Sequence, residues 1–466
     1  MKTSLANNDK ELKQVLNDLE KLILTKAYEW ARNIFKTIIE QIDNLIKRYR
    51  EKTLAIEHKR SVWYMTRLGK IRIERRQYRD QNGKYYYPLD RLLGMKKYRH
   101  ITADVNEFAL ELAASTTFRK TEEILRKITA IDLSHQTVHR LLARVADTYL
   151  EQKEQDKKWF RTTGELPNSE NKRVARLFME ADGVMLPLQR AKARKVEVKL
   201  GITYEGWNKI GRDRYQTVNK MFHADIASGD TFWAGMALKL HEKYDLAGIK
   251  DIIVGGDGGS WIKDGVDYFG GKFQLCRYHL NREIRYKLGS KGKAIKSLYE
   301  SINNEDTDAI YTTLNEVALM VKGDKAKEIK ELWRYIKANA SGLRDYRHTV
   351  ISEVGLRRTG AIEGNVDKLI VRRMKNQGMS WTLDGIRRML AVRFLLREGK
   401  LNDWLCHRND KVYKYGATTR RINHVIDKTM KDNYMDWFSA GLPALYGPHS
   451  SRPWVKILKS LSEAGI

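Results

Sequence analysis

Two aspartates stand where short apolar runs meet glycine. Arg176-Leu177-Phe178-Met179-Glu180-Ala181-Asp182-Gly183 and Asp251-Ile252-Ile253-Val254-Gly255-Gly256-Asp257-Gly258-Gly259 each read as a buried strand ending in an acid. Carboxylates at the ends of neighbouring buried strands repel, and one stays protonated unless a cation compensates. Such a pair therefore signals either a metal or a network of Arg and Lys partners. The glycines at 183, 255, 256, 258 and 259 are expected to let a backbone or a phosphate approach closely.

A third oxygen ligand is needed to hold one or two divalent cations for in-line phosphoryl chemistry. Glu363 is the best placed, in Gly360-Ala361-Ile362-Glu363-Gly364-Asn365-Val366, at the start of a helix expected to run to Arg373. A basic loop with Arg357 and Arg358 precedes it. Glu353 and Asp367 compete for the role, and an acid at a helix start is also favoured by the macrodipole alone. Cys276 and His279 have zinc-ligand spacing, but a structural site needs four ligands and no second pair is near. Cys276 is read instead as a small buried apolar residue. His279 is read as orienting a catalytic carboxylate or touching the scissile phosphate, with Arg282 one turn on as a phosphate contact.

The elements that must position these residues follow from changes of period. Strands are expected at 176–183, 195–204, 215–224, 251–259 and 272–276, with a helix at 232–244 before the fourth. Three hairpin-connected strands followed by an α/β crossover is the order of a ribonuclease-H-like sheet, spanning 172–290 and 350–400. Asp182 and Asp257 are 75 residues apart, but Asp257 and Glu363 are 106 apart, too many for one strand and one helix. The excess, 291–349, is Lys/Glu-rich, with Ile295, Leu298 and Ile302, then Ile310, Leu314 and Val317, then Ile329, Leu332 and Ile336 at helical spacing. It predicts an all-helical insertion before the last acid, expected to flank the site.

Ahead of this core, residues 1–60 read as a helical segment, one long amphipathic helix or a helical hairpin over 10–57. Residues 61–150 read as a β-hairpin with Asn82-Gly83 as turn, followed by three helices, the first capped by Asp104, the second at 118–128 and the third opened by Ser134. The short connection 129–133 and the polar start after it give a helix-turn-helix that would present His135, Gln136, His139 and Arg140 to a groove. The polar stretch 150–172 is the expected domain boundary. Residues 401–466 form a basic, aromatic C-terminal region: 368–466 carry 19 Lys+Arg against 8 Asp+Glu. There Arg372 and Arg373 suit phosphates, and Trp381, Trp404, Tyr413, Tyr415, Tyr434, Trp437 and Trp454 could stack unpaired bases.

The whole chain of 466 residues carries 87 Lys+Arg against 58 Asp+Glu, a formal charge of +29. A surface so self-repelling fits a polyanionic partner, and double-stranded DNA leads. Two cysteines exclude a disulfide framework, and no apolar run reaches membrane-spanning length. With no apolar leader either, a cytoplasmic, nucleoid-associated protein without a membrane partner is expected.

The Glu180-Ala181-Asp182-Gly183 run, the Tyr204-Glu205-Gly206-Trp207 turn, the box from Gly255 to Ile262, Cys276-Arg277-Tyr278-His279-Leu280 and Ile362-Glu363-Gly364-Asn365-Val366 together resemble the ISLre-type insertion-sequence transposases of the DDE superfamily. The likeness runs over most of the chain. It implies a multidomain, largely α chain around an α/β ribonuclease-H-like domain, with Asp182, Asp257 and Glu363 as the catalytic, metal-binding acids. It also implies a Cys-x-x-His element after the fifth strand, Mg²⁺ or Mn²⁺ as cofactor, element ends and target DNA as partners, and a homo-oligomer that synapses two ends. The implied chemistry is metal-assisted attack on a phosphodiester by water or a DNA 3′-hydroxyl, with no covalent enzyme intermediate. Two other classes stay open: a ribonuclease-H-like nuclease that cuts without joining, and a domesticated, non-catalytic DNA-binding protein, which would have no use for three acids.

Overall fold

A computed structural model describes residues 2–50, 52–93, 101–163, 170–350, 355–376 and 378–406. Glu353 and the aromatic residues Tyr413, Tyr415, Tyr434, Trp437 and Trp454 lie outside the described residues. The described residues divide into two compact units, one drawn from 2–113, 117–141 and 402–406, the other from 114–116 and 142–401.

In the first unit, α1 (Lys2–Tyr49) is a single continuous helix. It contains neither Pro nor Gly to break it, so the helical-hairpin alternative falls. Its Ile39, Ile42 and Ile46 pack on Tyr64, Ile71, Ile73 and Tyr78 of a hairpin, β1 (Ala55–Thr66) and β2 (Gly69–Arg79). That hairpin turns tightly at Arg67-Leu68, and Asn82-Gly83 lies in a second hairpin turn, as its sequence suggests, joining β2 antiparallel to the two-residue β3 (Tyr85–Tyr86). Gly69, at φ +100, supplies the backbone that most residues resist, and it does so against Ala130.

After α2 (Pro88–Leu92) come α3 (Ala103–Ser115), α4 (Phe118–Ile128) and α5 (His135–Thr163), so residues 150–163 continue a helix. Ser134 Oγ accepts from Thr137 N at 3.3 Å, as the sequence suggests. At α3 the accepting hydroxyl is Thr102, bonded by Val105 N at 3.4 Å, while Asp104 pairs with Arg67. A side chain just outside the first turn reaches the free N–H groups better than one inside it.

The second unit is built on five strands: β4 (Arg176–Pro187), β5 (Lys195–Tyr204), β8 (Met221–Asp225), β9 (Asp251–Gly256) and β10 (Lys272–Leu275). Between β5 and β8 a separate ribbon pairs β6 (Trp207–Lys209) with β7 (Tyr215–Thr217). The expected strand at 215–224 is thus split, because Tyr215–Thr217 bonds to 207–209 while Met221–Asp225 bonds to β5. The sheet order is β10-β9-β4-β5-β8, with β4, β5 and β8 antiparallel in succession and β9 and β10 parallel to β4. Strand β4 does not stop at Asp182: Val184 and Leu186 stay buried opposite Val198 and Val196, which carries the ladder to Pro187.

Alternation along β4 separates the two faces of the sheet. Leu177, Met179 and Ala181 enter a core with Phe232, Trp233 and Met236 of α6 (Gly229–His241) and Ile262 of α7 (Ser260–Phe269). The opposite residues, Phe178, Glu180 and Asp182, face the side reached by the late helices. After α8 (Arg277–Leu288) the insertion forms α9 (Gly292–Asn303), α10 (Thr307–Leu319) and α11 (Asp324–Ala338). The apolar positions picked out by spacing, Leu298, Ile302, Ile310, Leu314, Val317, Ile329, Leu332 and Ile336, share one buried cluster with Leu280, Ile284 and Leu288 of α8. The chain then returns through α12 (Ala361–Val366), which runs without a break into a π-helical stretch, Asp367–Lys375, and on to α13 (Leu383–Arg397). No helix among the described residues is long and apolar enough to cross a membrane.

Candidate active site

Glu180 of β4 lies opposite Gly255 of β9 in a parallel register. Asp182 follows two residues later on β4 and Asp257 one residue past the end of β9, close enough for the two charges to act on each other. Asp182 Oδ1 accepts from Gly183 N at 2.8 Å, and Asp257 Oδ1 from Gly259 N at 2.9 Å. Glu363, the third residue of α12, is near enough for Asp182 and Asp257 to raise its carboxyl, although the donor atoms found within 4.8 Å of one another among the described residues are those of Cys276, His279 and Glu363. Burial first and Asp257 second push the Asp182 carboxyl up to about 6, and burial followed by Asp182 pushes Glu363 up to about 7. The Arg282 guanidinium opposes both shifts. Among the described residues no Lys or Arg forms an ion pair with Asp182, Asp257 or Glu363, so the cationic network that would be the alternative to a metal is not built here.

His279, the third residue of α8, places Nδ1 3.0 Å from Glu363 Oε1, but out of line for a hydrogen bond. This buried nitrogen has no hydrogen-bond partner among the described residues. Burial lowers the His279 pKa, favouring the neutral ring. Cys276 Sγ is 4.0 Å from the same Glu363 oxygen, and burial pushes its thiol up to about 11. Cys276, His279 and Glu363 thus offer donor atoms within 4.8 Å of one another. A protonated thiol and three donors are a poor match to a closed zinc site. Three oxygen-bearing acids that repel one another fit a hard divalent cation, whose charge would relieve that repulsion.

The glycines do not leave the open approach that the sequence suggests. A Cβ at Gly183 would meet Glu197, at Gly255 Glu180, at Gly256 Ile262, and at Gly258 Asn339. The chain's own side chains occupy the room those glycines make. Asn339 follows α11, and from α11 itself the Tyr335 hydroxyl donates to Asp257 O at 2.8 Å. The helical insertion therefore braces the loop that carries Asp257. Asp367, the rival to Glu363, pairs with Arg372 at 2.6 Å.

Sequence reasoning gave no role to Glu180, which is 2% exposed. It accepts from Gly360 N, Ala361 N and Ile362 N at the start of α12, and from the Tyr204 hydroxyl. The available signal was its spacing: two residues before Asp182 on a strand puts it on the same face.

The residues expected to meet DNA are less uniform than their charge suggests. Gln136, His139 and Arg140 are exposed on α5, with His139 edge-on to Phe118 at 5.1 Å. His135 is half-buried, its Nδ1 2.6 Å from Glu122. Arg357 lies 3.6 Å over the Tyr215 ring, and Arg358 pairs with Asp345 at 3.3 Å. Arg373 is a correction: it is 3% exposed, with its guanidinium 5.2 Å over the Trp381 ring. It lies on the inward side of the π-helical stretch, whereas Arg372 is exposed, so adjacent arginines have opposite surroundings.

The chain belongs to a family described as Uncharacterised protein family (UPF0236), which matches residues 10–405. It is similar to a UPF0236 protein of Caldanaerobacter subterraneus subsp. tengcongensis, 26% identical over 405 residues, covering 85% of this chain and 81% of the relative. The name of that relative joins eleven locus designations. A second similar protein, the UPF0236 protein in vanSb 3′region of Streptococcus gallolyticus, is 24% identical over 417 residues, covering 88% of each chain.

Proposed function

We propose that this protein is a DNA transposase of a bacterial insertion sequence, with a ribonuclease-H-like catalytic domain. The observation that carries the reading is the approach of Asp182 on β4, Asp257 just past β9 and Glu363 on a late helix, close enough to raise the carboxyls of Asp182 and Glu363 and without a Lys or Arg ion pair among the described residues. The strand order β10-β9-β4-β5-β8, with three antiparallel strands and then two parallel ones, supports the fold assignment. Eleven designations for one relative in one organism are what repeated copying of a gene leaves behind. The +29 charge supports a DNA partner.

Asp182, Asp257 and Glu363 would hold Mg²⁺ or Mn²⁺. When bound, the cation supplies Lewis-acid charge to the phosphodiester and makes water or a 3′-hydroxyl a better nucleophile. His279, neutral and beside Glu363 without a hydrogen bond to it, orients that carboxylate or touches the scissile phosphate. Arg282 offers its guanidinium to the scissile phosphate, and Tyr335 holds the Asp257 loop, with Asn339 packed against Gly258. Gln136, His139, Arg140, Arg357, Arg358 and Arg372 bind DNA phosphates or base edges, with His135 turned toward Glu122. The protein works in the cytoplasm at the nucleoid, as a homo-oligomer that brings two element ends together.

A strand-transfer assay with Mg²⁺ and DNA bearing the element's ends tests the proposal. Cleavage and joining are expected, and Asp257→Asn should abolish both. Wild-type rates from Asp257→Asn would sink the metal-site assignment, and nicking without joining would identify a nuclease instead.

A further inference from the structure

The first backbone N–H groups of a helix have no partner within it, and a side chain at the N-cap normally supplies one. At α12 the N-cap is Gly360, at φ +140, which has no side chain to offer. Glu180 takes that place from another element. Its Oε2 accepts from Gly360 N at 2.9 Å and Ile362 N at 3.1 Å, and its Oε1 from Ala361 N at 3.1 Å and from the Tyr204 hydroxyl. Four donors converge on one buried carboxylate at the positive end of a helix, a charge-assisted arrangement stronger than neutral hydrogen bonds. Gly255 makes the space, since a Cβ there would sit 3.2 Å from Glu180 Cγ.

Glu180 and Asp182 alternate on one strand face, and Glu363 follows Ile362 directly. One side chain thus ties the strand carrying one candidate ligand to the helix turn carrying another. We propose that Glu180 is a positioning residue of the site: it sets the placement of Glu363 relative to Asp182 and so determines how tightly the acids hold a divalent cation. This rests on the function proposed above. A glutamine would not substitute, because its amide NH₂ would face backbone N–H donors and leave one oxygen for all of them.

The test compares full-length wild type with Glu180→Gln and Asp182→Asn, using hydrogen exchange at amides 360–362, Mn²⁺ binding by electron paramagnetic resonance, and DNA cleavage. For Glu180→Gln, protection of the three amides should fall about tenfold or more, and the Mn²⁺ half-saturation should rise about tenfold, as when a metal ligand loses its outer partner. Half-saturation by DNA should change less than about twofold, since the DNA-binding surface is untouched. Asp182→Asn should weaken Mn²⁺ binding and leave the three amides protected. Lost protection with wild-type Mn²⁺ binding would make Glu180 a helix cap only and overturn the positioning role; wild-type behaviour in both would overturn the clamp as well. If the wild type neither binds Mn²⁺ nor cleaves DNA while the amides stay protected, both the proposed function and the positioning role fall, and the cap stands. Should Glu180→Gln not fold, Gly255→Ala displaces the same carboxylate without neutralising it and must raise the Mn²⁺ half-saturation for the inference to survive.

Discussion

Neutralising Asp182 should stabilise the metal-free protein at alkaline pH. The residue is 8% exposed, and its carboxyl is raised from 3.8 to about 6 by burial and by Asp257. A shift of about two units corresponds to about 3 kcal/mol between the two protonation states. The folded pKa lies above the unfolded one, so the stability is complete below about pH 4 and is lost as pH rises through about 6. Asparagine keeps the shape, and its Oδ1 can still accept from Gly183 N. At pH 8 without divalent cation, Asp182→Asn should therefore melt about 6–12 °C above wild type, taking about 2–4 °C per kcal/mol for a unit of this size. At pH 4.5 the difference should shrink toward zero. Saturating Mg²⁺ at pH 8 should raise the wild-type midpoint and leave the variant unmoved. Differential scanning calorimetry at the two pH values reads all of this. A variant no more stable than wild type at pH 8, or a gap of equal size at pH 4.5, would refute the claim that the acids repel in a buried site.

Because Glu363 and Asp182 are raised to about 7 and 6, Mn²⁺ should bind at least about tenfold more tightly at pH 8 than at pH 5.5, the cation displacing protons, and a flat titration by electron paramagnetic resonance would contradict this. Arg140→Ala and Arg357→Ala should each lower the salt dependence of DNA binding by about one counterion, whereas Arg373→Ala should lower the melting temperature and leave the slope unchanged. Gly265→Ala should destabilise the second unit by about 2 kcal/mol or more, since its Cβ would lie 2.4 Å from Trp233, and thermal melts would show it. In a Cys406→Ser background, Cys276 should resist thiol reagents at pH 8, its thiol being buried and pushed up to about 11; rapid labelling would show the site to be open.

Local pattern sufficed for much of the frame. The helix at 118–128 and the strand at 195–204 were legible to the residue, because caps and period-2 alternation act over a few neighbours. The insertion's buried positions were legible for the same reason, as each of its helices shows one apolar stripe. The candidate acids were legible by chemical oddity, since a carboxylate among glycines and buried apolar residues loses its hydration and needs a cation or N–H donors to replace it. Splitting of 215–224 into β7 and β8 was not, because pairing partners are chosen by contacts distant in sequence. Nor could charge tell Arg372 from Arg373, which helical rotation alone turns outward and inward. Glu180 is the clearest case: its type and place on β4 were in view, yet its role required residues 360–362, 180 positions and more away, to arrive as the open end of a helix. The sequence by itself determined which residues are costly to bury. Tertiary structure decided which of them sit together, because only folding brings a strand's face and a distant helix's free N–H groups within hydrogen-bond reach.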